Sequence, residues 1–343
     1  MKGSVIALGH VGEREVAALM VDGQLTDLAL EEDGIAPGAI LRGVVGRPVK
    51  GLGGVFVDLP DGVSGFLRAP KGLAPGQKIL VQVAGASEPG KALPLTQRLL
   101  FKSRYAIVTP EAPGLNISRA IRDEGLRAEF AALATEGMQG ADESLGLILR
   151  SACEAASDEE ITSDIAQMRV LAEAVLADLT GGPELLVDAP GPHELAWRDW
   201  GDVDEVDDGP DALEHSGALD QIAALLTPEV RLEGGASMHI QATRAFVAVD
   251  VNTGADTSPA AGLKASIAAA RDLPRQLRLR GLGGIVIVDF APCPKRDRHV
   301  LEQVISKALR ADAGEASVAG WTPLGNFELT RRRDRAPLPE WLA

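Results

Sequence analysis

Two stretches decide how the chain is read. They are Val249-Asp250-Val251-Asn252-Thr253-Gly254 and, beyond a helical segment, Gly283-Gly284-Ile285-Val286-Ile287-Val288-Asp289-Phe290. Each is an apolar strand that runs into a carboxylate. Side chains alternate along a strand, so Asp250 and Asn252 point to one side. A helical connection between two strands makes them parallel and adjacent as a rule. Asp250 and Asp289 are therefore expected at the carboxyl ends of neighbouring strands, where open α/β sheets place their ligands. Two carboxylates a strand spacing apart repel each other unless a cation or a shared proton lies between them. Hard oxygen donors of this kind suit Mg2+, which keeps several waters and often takes one or two carboxylates plus a phosphate. A metal held there lowers the pKa of a bound water and neutralises charge on a reacting phosphate. Asn252 is placed to orient a carboxylate or a phosphate. A single Asp at a strand end is commonly a turn or cap residue, so the pair carries more information than either member.

Outward from this core, the pattern from Arg231 to the end alternates strand and helix. Residues 260 to 278 have helical composition, with Pro274 expected to kink or split the helix, and a further helix is expected over 297 to 310. Lys264, Arg271, Arg275, Arg278 and Arg280 crowd one segment, with Asp272 as the only acid among them, and Arg331, Arg332, Arg333 and Arg335 crowd another. These arginines are candidates for holding phosphates that flank the carboxylates.

The rest of the 343-residue chain calls for more than one domain. Residues 4 to 30 read as two strands and a turn, with Asp22-Gly23 as a hairpin signal. Residues 38 to 84 carry short Val-rich runs broken by glycines, the pattern of a small barrel. Phe56 and Phe66 fall on neighbouring strands of it, either as stacking platforms for bases or as barrel core. Residues 99 to 182 mix strands and helices. Gly146 to Ser151 is a strand with a polar end, and Ser157 with Glu160 forms a capping box that opens a helix over 158 to 179. Gly181-Gly182-Pro183 ends it. Residues 183 to 226 hold Leu185-Leu186-Val187, the Trp197 to Trp200 segment, a short helix over 216 to 226, and an acidic run, Asp199, Asp202, Asp204, Glu205, Asp207, Asp208, Asp211 and Glu214, read as a solvated loop.

Bulk composition narrows the function classes. At 45% hydrophobic residues a sizeable core is expected and global disorder is not. The net charge of -15 opposes nucleic-acid binding by bulk attraction. A basic groove on an acidic body remains open, because local potential steers a ligand. No apolar run reaches the ~18 residues needed to span a bilayer. The start, Met1 to Leu8, lacks a signal-peptide pattern, and a cytoplasmic location is expected. Cys153 and Cys293 form no CxxC, read as ordinary partly buried thiols of a reducing compartment. His10, His193, His215, His239 and His299 show no metal-ligand spacing. There is no GxSxG and no P-loop, and Gly281 to Gly284 precedes a strand, so it is not a dinucleotide loop.

The two strand motifs, the intervening Arg275-Gln276-Leu277-Arg278-Leu279-Arg280, and Leu324-Gly325 followed by Glu328-Leu329-Thr330-Arg331-Arg332-Arg333 resemble, in order and spacing, the core of the ribonuclease E/G family. Val21 to Gln24 and the barrel resemble its N-terminal strands and inserted S1 domain. The resemblance implies an α/β (α+β multidomain) fold. It would comprise an RNase H-like subdomain, first part, at 1–36; an S1 (OB-fold) RNA-binding domain at 37–98; a 5′-sensor region at 99–182; a shortened second RNase H-like part at 183–226; and a DNase I-like catalytic subdomain at 227–343. It implies an endoribonuclease that cuts single-stranded, A/U-rich RNA during RNA processing or mRNA decay, leaving 5′-phosphate and 3′-hydroxyl ends. Carried over by position, Asp250 and Asp289 hold one Mg2+, and Asn252 supports Asp289. Arg150 and Ser151 match an Arg-Thr pair that binds a 5′-monophosphate, and Phe56, Phe66 and Lys91 match residues that clamp RNA near the cut. With Arg275, Arg278 and Arg280 these make up the expected RNA contacts. The family's CPxC pair, which shares zinc between subunits, does not appear before Ala343. No zinc is expected, and any homodimer would not be linked by zinc. Gly281 stands for a usual Asp, Pro274 for a usual Ala and Ser266 for a usual Asn. A non-catalytic RNA-binding relative and an unrelated metal-dependent phosphohydrolase are the competing readings; the carboxylates argue against the first and the barrel against the second.

Overall fold

In the computed structural model, residues 2–49, 51–69, 72–88, 90–201 and 203–342 are described. Met1 and Asp202, the latter part of the acidic run, lie outside them. The chain forms two compact units, residues 31–204 and residues 1–30 with 205–343.

The chain opens with β1 (Ser4–Val11), β2 (Arg14–Val21) and β3 (Gln24–Leu30). The sequence predicts two strands here and the structure has three. Asp22 and Gly23 both take positive φ, 49° and 77°, as a two-residue hairpin turn requires. The next five strands are β4 (Ile40–Val49), β5 (Gly54–Asp58), β6 (Ser64–Arg68), β7 (Lys78–Val83) and β8 (Leu93–Thr96). They run in the order β4-β5-β6-β8-β7, and β4 pairs with β7. The result is a closed five-stranded barrel, consistent with an S1/OB fold. Val45, Val55, Val57, Leu67, Ile79 and Val81 fill it.

The third sheet contains β9 (Phe101–Lys102), β10 (Ala106–Thr109), β11 (Gly114–Ile117) and, after α1 (Glu124–Gly137), β12 (Gly146–Leu149). Then comes α2 (Asp158–Ala177), opened by the Ser157/Glu160 capping box. Ile161, Ile165 and Val175 bury one stripe of α2 with Val108, Leu147 and Leu149 of the sheet.

Residues 183–226 divide. β13 (Glu184–Val187) pairs with β4 of the barrel, and α3 (Pro192–Asp199) stays in the same unit. β14 (Glu205–Asp207) instead pairs in parallel with β1. Part of the acidic run is therefore an edge strand and not a loop; its charges keep a solvent-facing edge from pairing with other chains. α4 (Ala212–His215) and α5 (Ala218–Leu225) pack on β1 to β3 through Leu213, Ile222 and Leu225.

The last sheet is made of β15 (Glu229–Arg231), β16 (Ser237–Ala242), β17 (Val247–Asn252), then α6 (Pro259–Leu279), β18 (Gly284–Asp289), α7 (Arg298–Ala311), β19 (Ala316–Trp321) and β20 (Phe327–Arg331). Its order is β15-β16-β17-β18-β20-β19. One face packs on α6 and α7: Met238, Val249, Val251, Val286, Val288 and Phe327 meet Ala269, Leu273, Leu277, Leu301 and Ile305. The other face is open. Contrary to the expected break, α6 is one helix with Pro274 inside it. Pro274, Leu273 and Leu277 are buried on both sides of the missing hydrogen bond, and tertiary packing carries the helix across it.

Candidate active site

β17 and β18 are parallel neighbours, and Asp250 is the register partner of Asp289. The alternation that sends Val249, Val251 and Val288 into the core sends Asp250, Asn252 and Asp289 to the open face, where all three are exposed. Asn252 Nδ2 donates to Asp250 Oδ2 at 2.8 Å. The carboxylate it steadies is thus Asp250 and not Asp289, because residues two apart on one strand share a side. Gly254, with φ of 76°, turns the chain sharply after β17; a Cβ there would meet the Gly235 carbonyl oxygen at 2.3 Å.

His239 on β16 is the antiparallel partner of Asp250 and is also exposed, which makes a row His239, Asp250, Asp289 across three strands. Spacing in sequence does not reveal this row. The signal was the alternation Met238, His239, Ile240, Gln241, which marks a half-buried strand. Among the described residues no three His, Cys, Asp or Glu side chains converge into a metal cage. The donor set at the strand ends is two carboxylates and an amide in solvent. It fits a hard cation that keeps most of its waters.

The arginines counted as phosphate holders lie elsewhere. α6 covers the sheet's other face, and its arginines point away from the carboxylates. Arg275 pairs with Asp272 at 2.6 Å and donates to the Leu25 carbonyl at 2.7 Å. Arg278 pairs with Asp312, lies 3.7 Å from Asp27 and donates to the Thr26 carbonyl. Arg280 donates to Gln276 and to the Thr227 carbonyl; burial pushes its pKa down to about 10. Arg331 of the closing basic motif pairs with Asp312 at 2.6 Å, and Arg335 pairs with Asp27. These side chains tie β3, α6, α7 and β20 together. The segment that follows β18 carries two exposed cations, Lys295 and Arg296.

Gly281, in place of the usual Asp, has φ of 61°, and a Cβ there would meet the Ala336 carbonyl oxygen at 1.8 Å. The close passage of residues 336 and 337 admits only glycine. Ser266 is fully buried and reaches the Ala291 carbonyl at 3.5 Å.

In the barrel unit, Phe56 and Phe66 are register partners on β5 and β6. Their rings meet edge to face at 5.4 Å. Val55, Val57 and Leu67 point inward, so the two rings lie half-buried on the outer surface and do not fill the core. Gly54 leaves room for Phe66: a Cβ there would meet the ring at 2.5 Å. Lys91, exposed just before β8, pairs with Glu88.

Arg150 follows β12. Its Nη1 donates to the carbonyls of Ser103, Arg104 and Arg198, and its Nη2 donates to Asp199 at 2.9 Å. Ser151 is exposed beside it. Lys102 and Arg198 also contact Asp199, at 2.7 and 2.9 Å. Sequence reading found neither cation, since Lys102, Arg150 and Arg198 are brought together only by folding.

A carboxylate pair at the ends of parallel strands occurs on a chain that also carries an S1/OB-type barrel with outward aromatics. The description "Ribonuclease E/G family" matches residues 101–207 and 201–334, and the chain belongs to that family. It is 28% identical to the ribonuclease E of a Nostoc species over 94% of this chain and 55% of that protein. It is 28% identical to the ribonuclease G of Salmonella typhimurium, over 96% of this chain and 80% of the relative. The ribonuclease G of Escherichia coli is 27% identical with the same coverage. The chain thus spans about half the length of the first of these relatives. The ribonuclease G alignments run over 403 residues, more than the 343 of this chain, so the chain is shorter than they are within the matched region. Among the described residues no helix is long and apolar enough to cross a membrane.

Proposed function

We propose that the protein is a Mg2+-dependent endoribonuclease that cuts single-stranded RNA. The observation that carries this reading is the register pairing of Asp250 with Asp289 on the open face of a parallel strand pair. Membership of a family whose named relatives are ribonucleases supports it. In this reading residues 227–343 form the DNase I-like catalytic subdomain, and residues 37–98 the RNA-binding S1 domain. Residues 99–182 form the 5′-sensor, and the sheet shared by residues 1–36 and the 205–226 segment the reduced RNase H-like part.

Asp250 and Asp289 would hold the metal, which when bound supplies positive charge for the phosphate and an acidified water. Asn252 keeps the Asp250 carboxylate turned to the open face. Water adds to phosphorus while the bond to the 3′-oxygen breaks, leaving a 5′-phosphate and a 3′-hydroxyl. The outward edges of Phe56 and Phe66 take an unpaired base by stacking, which selects single strands because every base has a free face only there. Lys91 adds a phosphate contact. Arg150 and Ser151 face a 5′-terminal monophosphate. Arg275, Arg278 and Arg280 are assigned to the fold and not to RNA.

The test is cleavage of a 5′-monophosphorylated, A/U-rich RNA with Mg2+ or EDTA, by the unmutated protein and by Asp250→Asn and Asp289→Asn. Internal cuts that need Mg2+ and vanish in both variants, with RNA binding retained, are expected. RNA binding without cutting in the unmutated protein would favour a non-catalytic relative. Cutting that survives both substitutions would remove the metal assignment.

A further inference from the structure

A buried arginine just past the end of α6 has no carboxylate bonded to it. Arg280 is 5% exposed. Its guanidinium carries five N–H bonds. Nη1 donates to Gln276 Oε1 and Nη2 to the Thr227 carbonyl at 3.1 Å. Both acceptors are neutral. The acid of α6, Asp272, gives its two oxygens to Arg275 Nε at 2.6 Å and to Gln276 Nε2 at 2.9 Å. A buried cation is costly without a bonded counter-charge. Burial is the main reason that the Arg280 pKa falls to about 10; Asp272 opposes the fall at a distance and Arg275 adds to it.

This side chain lines a cleft of about 770 Å3 between α6, β15, α5 and β3. That volume is within the usual range of small-molecule sites. Ala268, Arg271, Arg275 and Leu279 recur every three to four residues, so one face of α6 makes the floor. Leu25, Leu225 and Val230 give the cleft apolar wall. Arg271 is exposed on the same floor, and no ion pair or hydrogen bond engages it among the described residues. Nine residues of helix separate it from Arg280, about 13 Å along the axis. Glu229 and Glu233 line the cleft as well, but both are exposed and screened by water. The cleft lies on the helix-covered side of the sheet, whereas Asp250 and Asp289 stand on the open face. It is therefore separate from the carboxylate pair.

We propose that this cleft binds a small organic phosphate of nucleoside-monophosphate size, with its phosphate on the unused N–H bonds of Arg280. A phosphate supplies the charge and the acceptors that Gln276 and Thr227 do not. The apolar walls and the length of the floor call for a flat body beyond the phosphate, and the Arg271 guanidinium is placed to lie over its ring. The inference does not rest on the nuclease reading.

The experiment is isothermal titration calorimetry with AMP, UMP, adenosine and inorganic phosphate, without divalent metal. AMP or UMP should bind with Kd below about 1 mM, and adenosine and inorganic phosphate at least about tenfold more weakly. Arg280→Gln should weaken nucleotide binding by about tenfold or more, and Arg280→Lys, which keeps the charge but loses the fork, by less. Arg271→Gln, at an exposed position that cannot unfold the protein, should weaken it about threefold and leave inorganic phosphate unaffected. Binding should persist in Asp289→Asn. Absence of binding by both nucleotides would overturn the proposal, as would nucleotide binding that is unchanged in Arg271→Gln and Arg280→Lys or lost in Asp289→Asn. Weakened binding of a single-stranded RNA by Arg271→Gln, with no nucleotide bound, would assign these cations to RNA instead.

Discussion

Removing the carboxylate of Asp312 tests whether the arginine clusters are structural. The Asp312 side chain is 3% exposed and sits between Arg331, itself 4% exposed, and Arg278, 11% exposed. Asp312→Ala takes the bonded carboxylate from Arg331 and leaves Arg278 with Asp27 at 3.7 Å and the Thr26 carbonyl. Removing one partner of a buried ion pair costs about 3–5 kcal/mol, because a guanidinium is left desolvated and uncompensated. For a unit of this size that corresponds to a fall in Tm on the order of 10 °C. The assay is denaturant unfolding followed by tryptophan fluorescence. Two units are present, so two transitions are to be fitted separately; Trp321 and Trp341 report on the unit that holds Asp312. Glu315→Ala is the control, since Glu315 is 78% exposed in its pair with Arg332 and should change stability by under about 0.5 kcal/mol. Arg278→Gln should likewise lower stability while leaving the salt dependence of RNA binding unchanged. A loss below about 1 kcal/mol for Asp312→Ala, or a salt slope shallower by one phosphate in Arg278→Gln, would refute the structural assignment.

Two other outcomes follow from the site and the core. Phe66→Ala should weaken single-stranded RNA binding by about 1–3 kcal/mol, the usual worth of one stacked base, with little loss of barrel stability because the ring lies outside the core; unchanged affinity would remove the stacking role. Cys153 is buried in the core beside α2, and burial pushes its thiol up to about 11. The folded pKa is above the unfolded one, so the thiol's contribution is complete below pH ~8.5 and is lost as pH rises towards the folded value. A thiol-reactive disulfide reagent at pH 8 should therefore modify Cys293 first and Cys153 only on unfolding, and equal rates would contradict this burial.

The carboxylate pair was legible because two local rules agreed. Alternation fixes which side of a strand an Asp faces, and a helical crossover fixes two strands as parallel neighbours. The register that sets Asp250 level with Asp289 was not legible, since it depends on where β17 and β18 start in space. The row continues to His239 through β16, whose alternation is present in Ser237 to Ala242. The position of the two phenylalanines was recoverable from period two, with Val55 and Val57 flanking Phe56; composition alone left it open. The strand within the acidic run was missed because it is completed by pairing with β1, about two hundred residues earlier in the chain, whereas β1 itself pairs along its whole length with β2. Pro274 was misread because a propensity rule was applied where packing on both sides outweighs it.

The arginines show what a charge count cannot supply. Arg271, Arg275 and Arg278 fall at i, i+4 and i+7, so the sequence does say that they share a helix face. It does not say that this face meets Leu25, Thr26 and Asp27, about two hundred and fifty residues away. Once Asp27 and Asp312 have claimed Arg278, Arg331 and Arg335, the basic groove inferred from those clusters is largely consumed inside the fold. On a chain of net charge -15, the exposed cations among the described residues are scattered, Arg47, Arg68, Arg98, Arg231, Arg244, Lys295 and Arg296 among them. Phosphate contacts with the proposed substrate then have to come from such scattered side chains and not from the two arginine clusters. Base stacking on Phe56 and Phe66 adds to these contacts only where bases are unpaired. That contribution favours flexible, unpaired RNA over a duplex, whose bases are stacked already.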